Sequence, residues 1–494
     1  MAEHPGTKIT GSMLYDLVQC PTRVHMDCFA NPADKVEVSP FVRLLWERGA
    51  EHEGDTVSKL GEPCLDLAHL PAIERETKTI EAIKSGVPLI HGGRIRKDDL
   101  LGDPDLLRKT SYGYIAGDIK SGAGLEGNED LSKPKKHYAV QVALYTDILR
   151  QLNFSQSYEP FILDINRQTI PYNLLTSIDK GGATLWETYE VSLQNARDIV
   201  AKRTTPRPAS CAICKLRQWY EACKTEIKRL DDLTLIPGLG RSKRDSLALY
   251  IDTVDDLAQC DISAYTKGKK TIFPGIGPDS LLKFKKRAQL LKDPSPKPYL
   301  TEAISFPAHS TELFFDIEVD PLRDFCYLHG FVKRTSFDNQ TEEFVGFFTE
   351  DESCVEERSE FKKAYEFILS NRPCSIYYYS KYERTIWRKL QAKYPDVCSQ
   401  NDIEIIFDPA NAIDLYFDVV TKKTEWPTND HSIKTLAKYL GFSWRDKNPS
   451  GAASIEWFDK WVKSRDPSDK DRVLLYNEDD CRATRVLLDG IKSL

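Results

Sequence analysis

The 494-residue sequence has no uninterrupted apolar run near the ~18 residues that cross a bilayer, so no membrane span is expected. Its opening, MAEHPGTKITGSM, has no basic stretch leading into an apolar run. No secretory leader is therefore expected, and a cytoplasmic location follows. No Gly-x-x-x-x-Gly-Lys phosphate loop is present, so any ATP-driven unwinding must come from a partner such as a helicase. Low-complexity tracts and repeat arrays are absent. Net charge is −7, so there is no global basic excess. That does not exclude nucleic acid, which needs only a local basic surface. In a reducing compartment the 12 cysteines are free thiols, metal ligands or catalysts, not a disulfide framework.

What is present is ordinary globular composition, 41% hydrophobic and 29% charged. At roughly 100–200 residues per domain the length suggests about three domains. The proline-rich segment DPSPKP, residues 293–298, reads as a linker. The expected division is 1–223, 224–298 and 299–494, an α/β multidomain chain.

In the front region, LGDPDLLRKTSYGYIAGDIK places Asp105 in a turn before a strand that ends in Asp118-Ile119-Lys120. Strand alternation puts Asp118 and Lys120 on one face, and a hairpin brings Asp105 beside them. Two carboxylates suit Mg²⁺ or Mn²⁺, hard cations that favour oxygen. The lysine can orient a water or stabilise charge on a phosphate. Gln141 and Tyr145 share one helical face, and His52, in LLWERGAEHEG, is a further candidate metal ligand.

Gly49-x-x-His52, Gly102-x-x-Asp105, Asp118-x-Lys120 and Gln141-x-x-x-Tyr145, in this order, resemble the RecB-like nucleases of the PD-(D/E)xK superfamily over roughly residues 10–223. The resemblance implies a restriction-endonuclease-type core, with Asp105, Asp118, Lys120, Gln141 and Tyr145 catalytic and His52 on the metal.

Cys211-x-x-Cys214 is followed by Cys223, with Cys20 far upstream. Four thiolates suit zinc or an iron–sulfur cluster, and local spacing alone favours Zn²⁺. One cysteine before the nuclease core and three after it resemble the iron–sulfur subgroup that includes AddB and CRISPR-associated relatives. That resemblance implies a structural 4Fe–4S cluster on Cys20, Cys211, Cys214 and Cys223.

The middle region repeats Pro237-Gly238-Leu239-Gly240 as Pro274-Gly275-Ile276-Gly277. Both resemble helix–hairpin–helix elements, in which Gly238, Gly240, Gly275 and Gly277 let backbone N–H groups approach a DNA phosphate. Residues 224–298 hold 15 Lys and Arg against 10 Asp and Glu, reversing the sign of the whole chain.

In the rear region, TELFFDIEVDP sets Asp316 and Glu318 on one face of an apolar strand. Glu383 follows a second strand-like stretch, and Tyr476 and Asp480 lie four apart on a helix. Converging carboxylates repel without cations. With two divalent ions roughly 3.5–4 Å apart they form a phosphodiester hydrolysis site. The set resembles the DnaQ-like exonucleases of ribonuclease H-like fold, in their tyrosine-bearing version, and the YprB-like subfamily in particular. The resemblance implies 3′–5′ exonuclease chemistry, with Tyr476 holding the attacking water. Glu383 stands where most of that superfamily has aspartate. Together these readings point to a two-site DNA nuclease acting on single strands or ends. The alternative is a nucleic-acid-binding scaffold that recruits a helicase.

Overall fold

A computed structural model of the chain describes residues 7–127, 132–179, 181–447 and 449–494. The first six residues, part of the stretch read for a leader, lie outside it. The chain divides into two compact units, Met1–Pro208 with Leu216–Ala222 and Ala209–Lys215 with Cys223–Leu494. Among the described residues no helix is long and apolar enough to cross a membrane.

The front unit is built on a six-stranded mixed sheet, in the order Thr169–Pro171, Phe161–Leu163, Gly113–Ile119, Leu106–Thr110, Leu89–His91, Leu65–Asp66. Its central hairpin pairs Leu106 with Gly117, which carries Asp105 alongside Asp118. The helix Lys136–Gln151 is apolar over most of its circumference: Ala139, Val140, Val142, Ala143, Leu144, Ile148 and Leu149 are all fully buried. At roughly 1.5–3 kcal/mol for each large side chain, this burial makes the helix the spine of the unit. Gly102 explains itself here. A Cβ there would meet the Tyr145 ring at 2.7 Å, so glycine at one motif position makes room for tyrosine at another.

Early in the second unit lie the two Pro-Gly-x-Gly turns. Gly238 and Gly275 adopt φ of +80° and +74°, left-handed conformations that favour glycine. Gly240 and Gly277 then start the helices Arg241–Leu247 and Pro278–Lys292. Ile236, Leu239, Phe273 and Ile276, which flank the two turns, enter one small core. Arg287 forks onto Glu425 at 2.6 and 3.2 Å and also donates to Pro237 O at 2.6 Å. This buried pair ties the first of the two turns to the domain that follows.

That domain has a five-stranded sheet in the order Asp338–Phe348, Phe325–Thr335, Thr311–Asp320, Cys374–Tyr378, Ala412–Asp414. Phe325–Thr335 runs antiparallel to both of its neighbours, and the last two strands are parallel to the central strand and to each other. Alternation divides Thr311–Asp320 between two cores. Leu313, Phe315 and Ile317 pack with Phe361 and Trp387 on one face, and Phe314 packs with Leu487 and Leu488 of the helix Pro467–Lys492 on the other. Asp316 and Glu318, having the parity of Phe314, turn toward that long helix.

Candidate active sites

The rear site grows from this parity. Asp316 pairs with Gly330 on the neighbouring strand, and a Cβ at Gly330 would collide with the Asn477 amide. The helix therefore sits close enough for Asn477 Nδ2 to donate to Asp316 Oδ2 at 2.8 Å. One turn on, Asp480 reaches the same space. One carboxylate oxygen from each of Asp316, Glu318 and Asp480 lies within 4.8 Å of the others. Trp444 Nε1 donates to Asp480 Oδ1 at 2.6 Å, and the Tyr476 hydroxyl donates to Asp480. Lys434 Nζ donates to the Tyr476 oxygen at 2.7 Å.

Burial pushes the carboxyls of this trio upward, and repulsion from Asp480 adds to it at Asp316 and Glu318: Asp316 lies well above the usual range, Glu318 at about 8, and Asp480 is raised in the same direction. Hydrogen bonds to Glu318 and Asp480 relieve part of this, and positive charge relieves a further part. Lys434 lowers all three, and a hard divalent cation fits the remaining demand, because the donors are all carboxylate oxygens.

Glu383 occupies the first turn of the helix Lys381–Lys393, takes a hydrogen bond from Ser380 Oγ at 3.1 Å and is buried. Burial raises it to about 8, and its charge raises Asp316. Its field bears on Asp316, and it is not one of the mutually close ligands. Asp414 escaped the sequence reading. It ends the last strand and caps Tyr416 and Phe417 at 2.9 Å, while its Oδ2 is buried without a hydrogen-bond partner among the described residues.

A family model of the RNase H superfamily, RNase_H_2, matches residues 313–491. The rear domain is RNase H-like. The match covers well under half of the chain, so it speaks for this domain, a fold of nuclease-type hydrolases whose partner is nucleic acid. No curated protein matches the chain. RNase H-like nucleases usually work with Mg²⁺ or Mn²⁺, and the trio is the matching acidic group.

In the front unit Asp105 and Asp118 do meet. Asp105 Oδ2 accepts from Ile119 N at 2.7 Å, and Asp118 is buried in an ion pair with Lys120. Lys120 also donates to Gln141 Oε1 at 3.0 Å, and Gln141 Nε2 donates to the Tyr145 oxygen at 3.1 Å. Tyr138 and Tyr15 flank the ammonium at 5.4 and 5.9 Å. Burial, then Asp118, raises Asp105 well above the carboxylate range.

His52 lies apart from this chain of contacts, with Nε2 3.4 Å from Thr56 Oγ1 one turn along its own helix. The adjacent Glu53 is the helix residue whose charge reaches Asp105. Glu53 is held by His91 Nε2 at 3.2 Å, and His91 Nδ1 meets Asp66 at 2.9 Å. Nothing in the order of sequence motifs separates His52 from Glu53; only the helical phase does.

Cys211 and Cys214 bring their sulfurs to 3.1 Å, and the Cys214 contact draws the Cys211 thiol down to about 6. Such a thiol is predisposed to serve as a thiolate ligand.

Proposed function

We propose that the protein is a metal-dependent DNA nuclease with two active sites, used in repair, recombination or defence against foreign DNA. The observation that carries this reading is the close trio Asp316, Glu318 and Asp480 inside an RNase H-like domain. The rear site is assigned 3′–5′ exonuclease chemistry and the front cluster a second cleavage of RecB-like type.

Mg²⁺ or Mn²⁺, when bound, lowers the pKa of a water and stabilises the departing oxygen. Asp316, Glu318 and Asp480 would hold it. Around them, Asn477 and Trp444 lock the two aspartates in orientation. Tyr476, its proton committed to Asp480, keeps an oxygen lone pair for an attacking water. In the front unit Asp105 and Asp118 would hold the cation, with Lys120 and Gln141 facing the phosphate.

Cys20, Cys211, Cys214 and Cys223 are assigned a structural 4Fe–4S cluster, with Zn²⁺ as the other occupant their chemistry allows. A brown preparation with broad visible absorbance supports the cluster; a colourless anaerobic one with stoichiometric zinc overturns it. The paired glycine hairpins, with their basic neighbours, are assigned sequence-independent phosphate contacts.

The deciding experiment is cleavage of 5′- and 3′-labelled single- and double-stranded DNA and RNA with Mg²⁺ or Mn²⁺, comparing wild type, Asp118→Ala and Asp316→Ala. Each variant is expected to lose one activity by about a thousandfold, some 4 kcal/mol of transition-state stabilisation, and to keep the other. Full wild-type cleavage by either variant on every substrate removes the assignment for its domain.

A further inference from the structure

The rear site contains a cation that no part of the nuclease reading uses. Lys434 sits in the first turn of the helix Ile433–Tyr439, capped by Ser432 Oγ. Leu436 and Ala437, two and three residues on, are fully buried, and Leu436 packs in the same core as Leu487 and Leu488. The backbone carrying Lys434 is therefore fixed relative to the helix that carries Tyr476 and Asp480. Its side chain is half-buried. With three carboxylates close by, its ammonium hydrogen-bonds the tyrosine hydroxyl at 2.7 Å, with the ring centroid at 4.7 Å.

We propose that Lys434 is a positioning residue for the rear site: it sets the direction of the Tyr476 hydroxyl and supplies a standing positive charge beside Asp316, Glu318 and Asp480. The inference rests on the nuclease reading of that site and deepens it.

The donor count explains why such a lysine matters. A phenol oxygen offers one proton and two lone pairs. The proton goes to Asp480, and one lone pair accepts from Lys434. A single acceptor position remains, so a water bound there must donate to it. That leaves the water's own lone pairs directed away from the tyrosine. Without Lys434 the hydroxyl has two acceptor positions and the water loses its unique orientation, a loss that falls on the reaction step more than on substrate binding. The second role follows from Coulomb's law: Lys434 competes with the divalent cation it helps.

These roles predict effects of opposite sign, which a merely structural lysine would not give. The test uses the full-length chain carrying Asp118→Ala, so that the rear site dominates. Mn²⁺ binding is followed by titration calorimetry and cleavage of 3′-labelled single-stranded DNA by single-turnover kinetics. Lys434→Met is expected to tighten Mn²⁺ binding by roughly 3–10-fold while slowing cleavage by roughly 10–100-fold. Lys434→Arg should restore part of the rate. Combining Lys434→Met with Tyr476→Phe should slow cleavage little beyond Tyr476→Phe alone, because both act through one hydroxyl. Mn²⁺ binding and rate that weaken together in Lys434→Met, or penalties that multiply in the double variant, overturn the proposal. Lys434→Gln, monitored by its melting curve, guards against misfolding of the methionine variant. Wild type that binds no Mn²⁺ and cleaves nothing sinks the metal reading itself, a result distinct from any pattern among the Lys434 variants.

Discussion

The two acidic clusters use lysine in opposite ways. In the front unit Lys120 is ion-paired directly to Asp118 and further held by Gln141 and two tyrosine faces. In the rear domain Lys434 bonds a tyrosine hydroxyl and leaves three carboxylates facing one another. One cluster carries its counter-charge two residues along the same chain segment; the other depends on charge from outside. The difference follows from strand geometry. Lys120 follows directly on the strand that carries Asp118 and still bonds Leu163 O through its N–H, so two residues apart the pair share a face, whereas Asp316, Glu318 and Asp480 converge from a strand and a distant helix.

The largest consequence is in stability against pH. Glu318 is raised to about 8, so in the absence of metal the folded state binds protons that the unfolded state releases. Stability from this source is present below the ordinary carboxyl pKa of about 4.3 and is lost as pH rises toward 8. In EDTA the melting temperature of the rear domain should fall by several degrees between pH 5 and pH 8, at about 2–4 °C per kcal/mol for a domain of this size. Mn²⁺ should abolish most of the fall, and Glu318→Gln should flatten it without metal. Asp105 in the front unit has the same sign, with Lys120 opposing it. Asp105→Asn should likewise flatten the pH slope of the front unit in EDTA, as Glu318→Gln does in the rear domain; an unchanged slope in either variant would show that its carboxyl is not kept protonated by the fold.

A smaller effect concerns the glycines that admit each site's supports. Gly102→Ala sets a methyl 2.7 Å from the buried Tyr145 ring, and Gly330→Ala drives one into the Asn477 amide. Each overpacking should cost about 1–3 kcal/mol by thermal denaturation. Their activity signatures should differ. Gly102→Ala displaces a ring at the end of the Lys120–Gln141–Tyr145 chain and should impair front cleavage alone. Gly330→Ala breaks the hydrogen bond to Asp316 and should impair rear cleavage alone. Equal loss of both activities in either variant would mean that the clusters do not work independently.

The carboxylates could be read from the sequence because strand alternation and helical spacing are local rules. Asp316 with Glu318, Tyr476 with Asp480, and Asp118 with Lys120 each obey one of them. The hairpin that joins Asp105 to Asp118 was also a local inference, and its register bears out the juxtaposition. Lys434 and Asn477 could not be read in this way. Lys434 sits on a separate short helix, and its role appears only when that helix packs beside the long one. Asn477 follows Tyr476 directly, yet it matters only because Gly330 lets the helix approach. Asp414 looked like an ordinary strand end, and its buried, half-satisfied carboxylate is a property of packing alone.

The smallest expected effect separates two neighbours in the front helix. His52 has the motif position, but its ring lies against Thr56, and Glu53 carries the charge that Asp105 feels. His52→Gln should cost no more than the single hydrogen bond, about 1 kcal/mol of stability, and should change front cleavage less than about threefold. Glu53→Gln removes a carboxylate facing the acidic pair and frees His91 from one of its two acidic partners. It should lower front cleavage further than His52→Gln and weaken Mn²⁺ binding by the front cluster, read in the Asp316→Ala background. If His52→Gln proves the more damaging of the two, the histidine must turn from Thr56 toward the cation during turnover. The front cluster would then be assembled by its ligand, whereas the rear trio is already assembled by its fold.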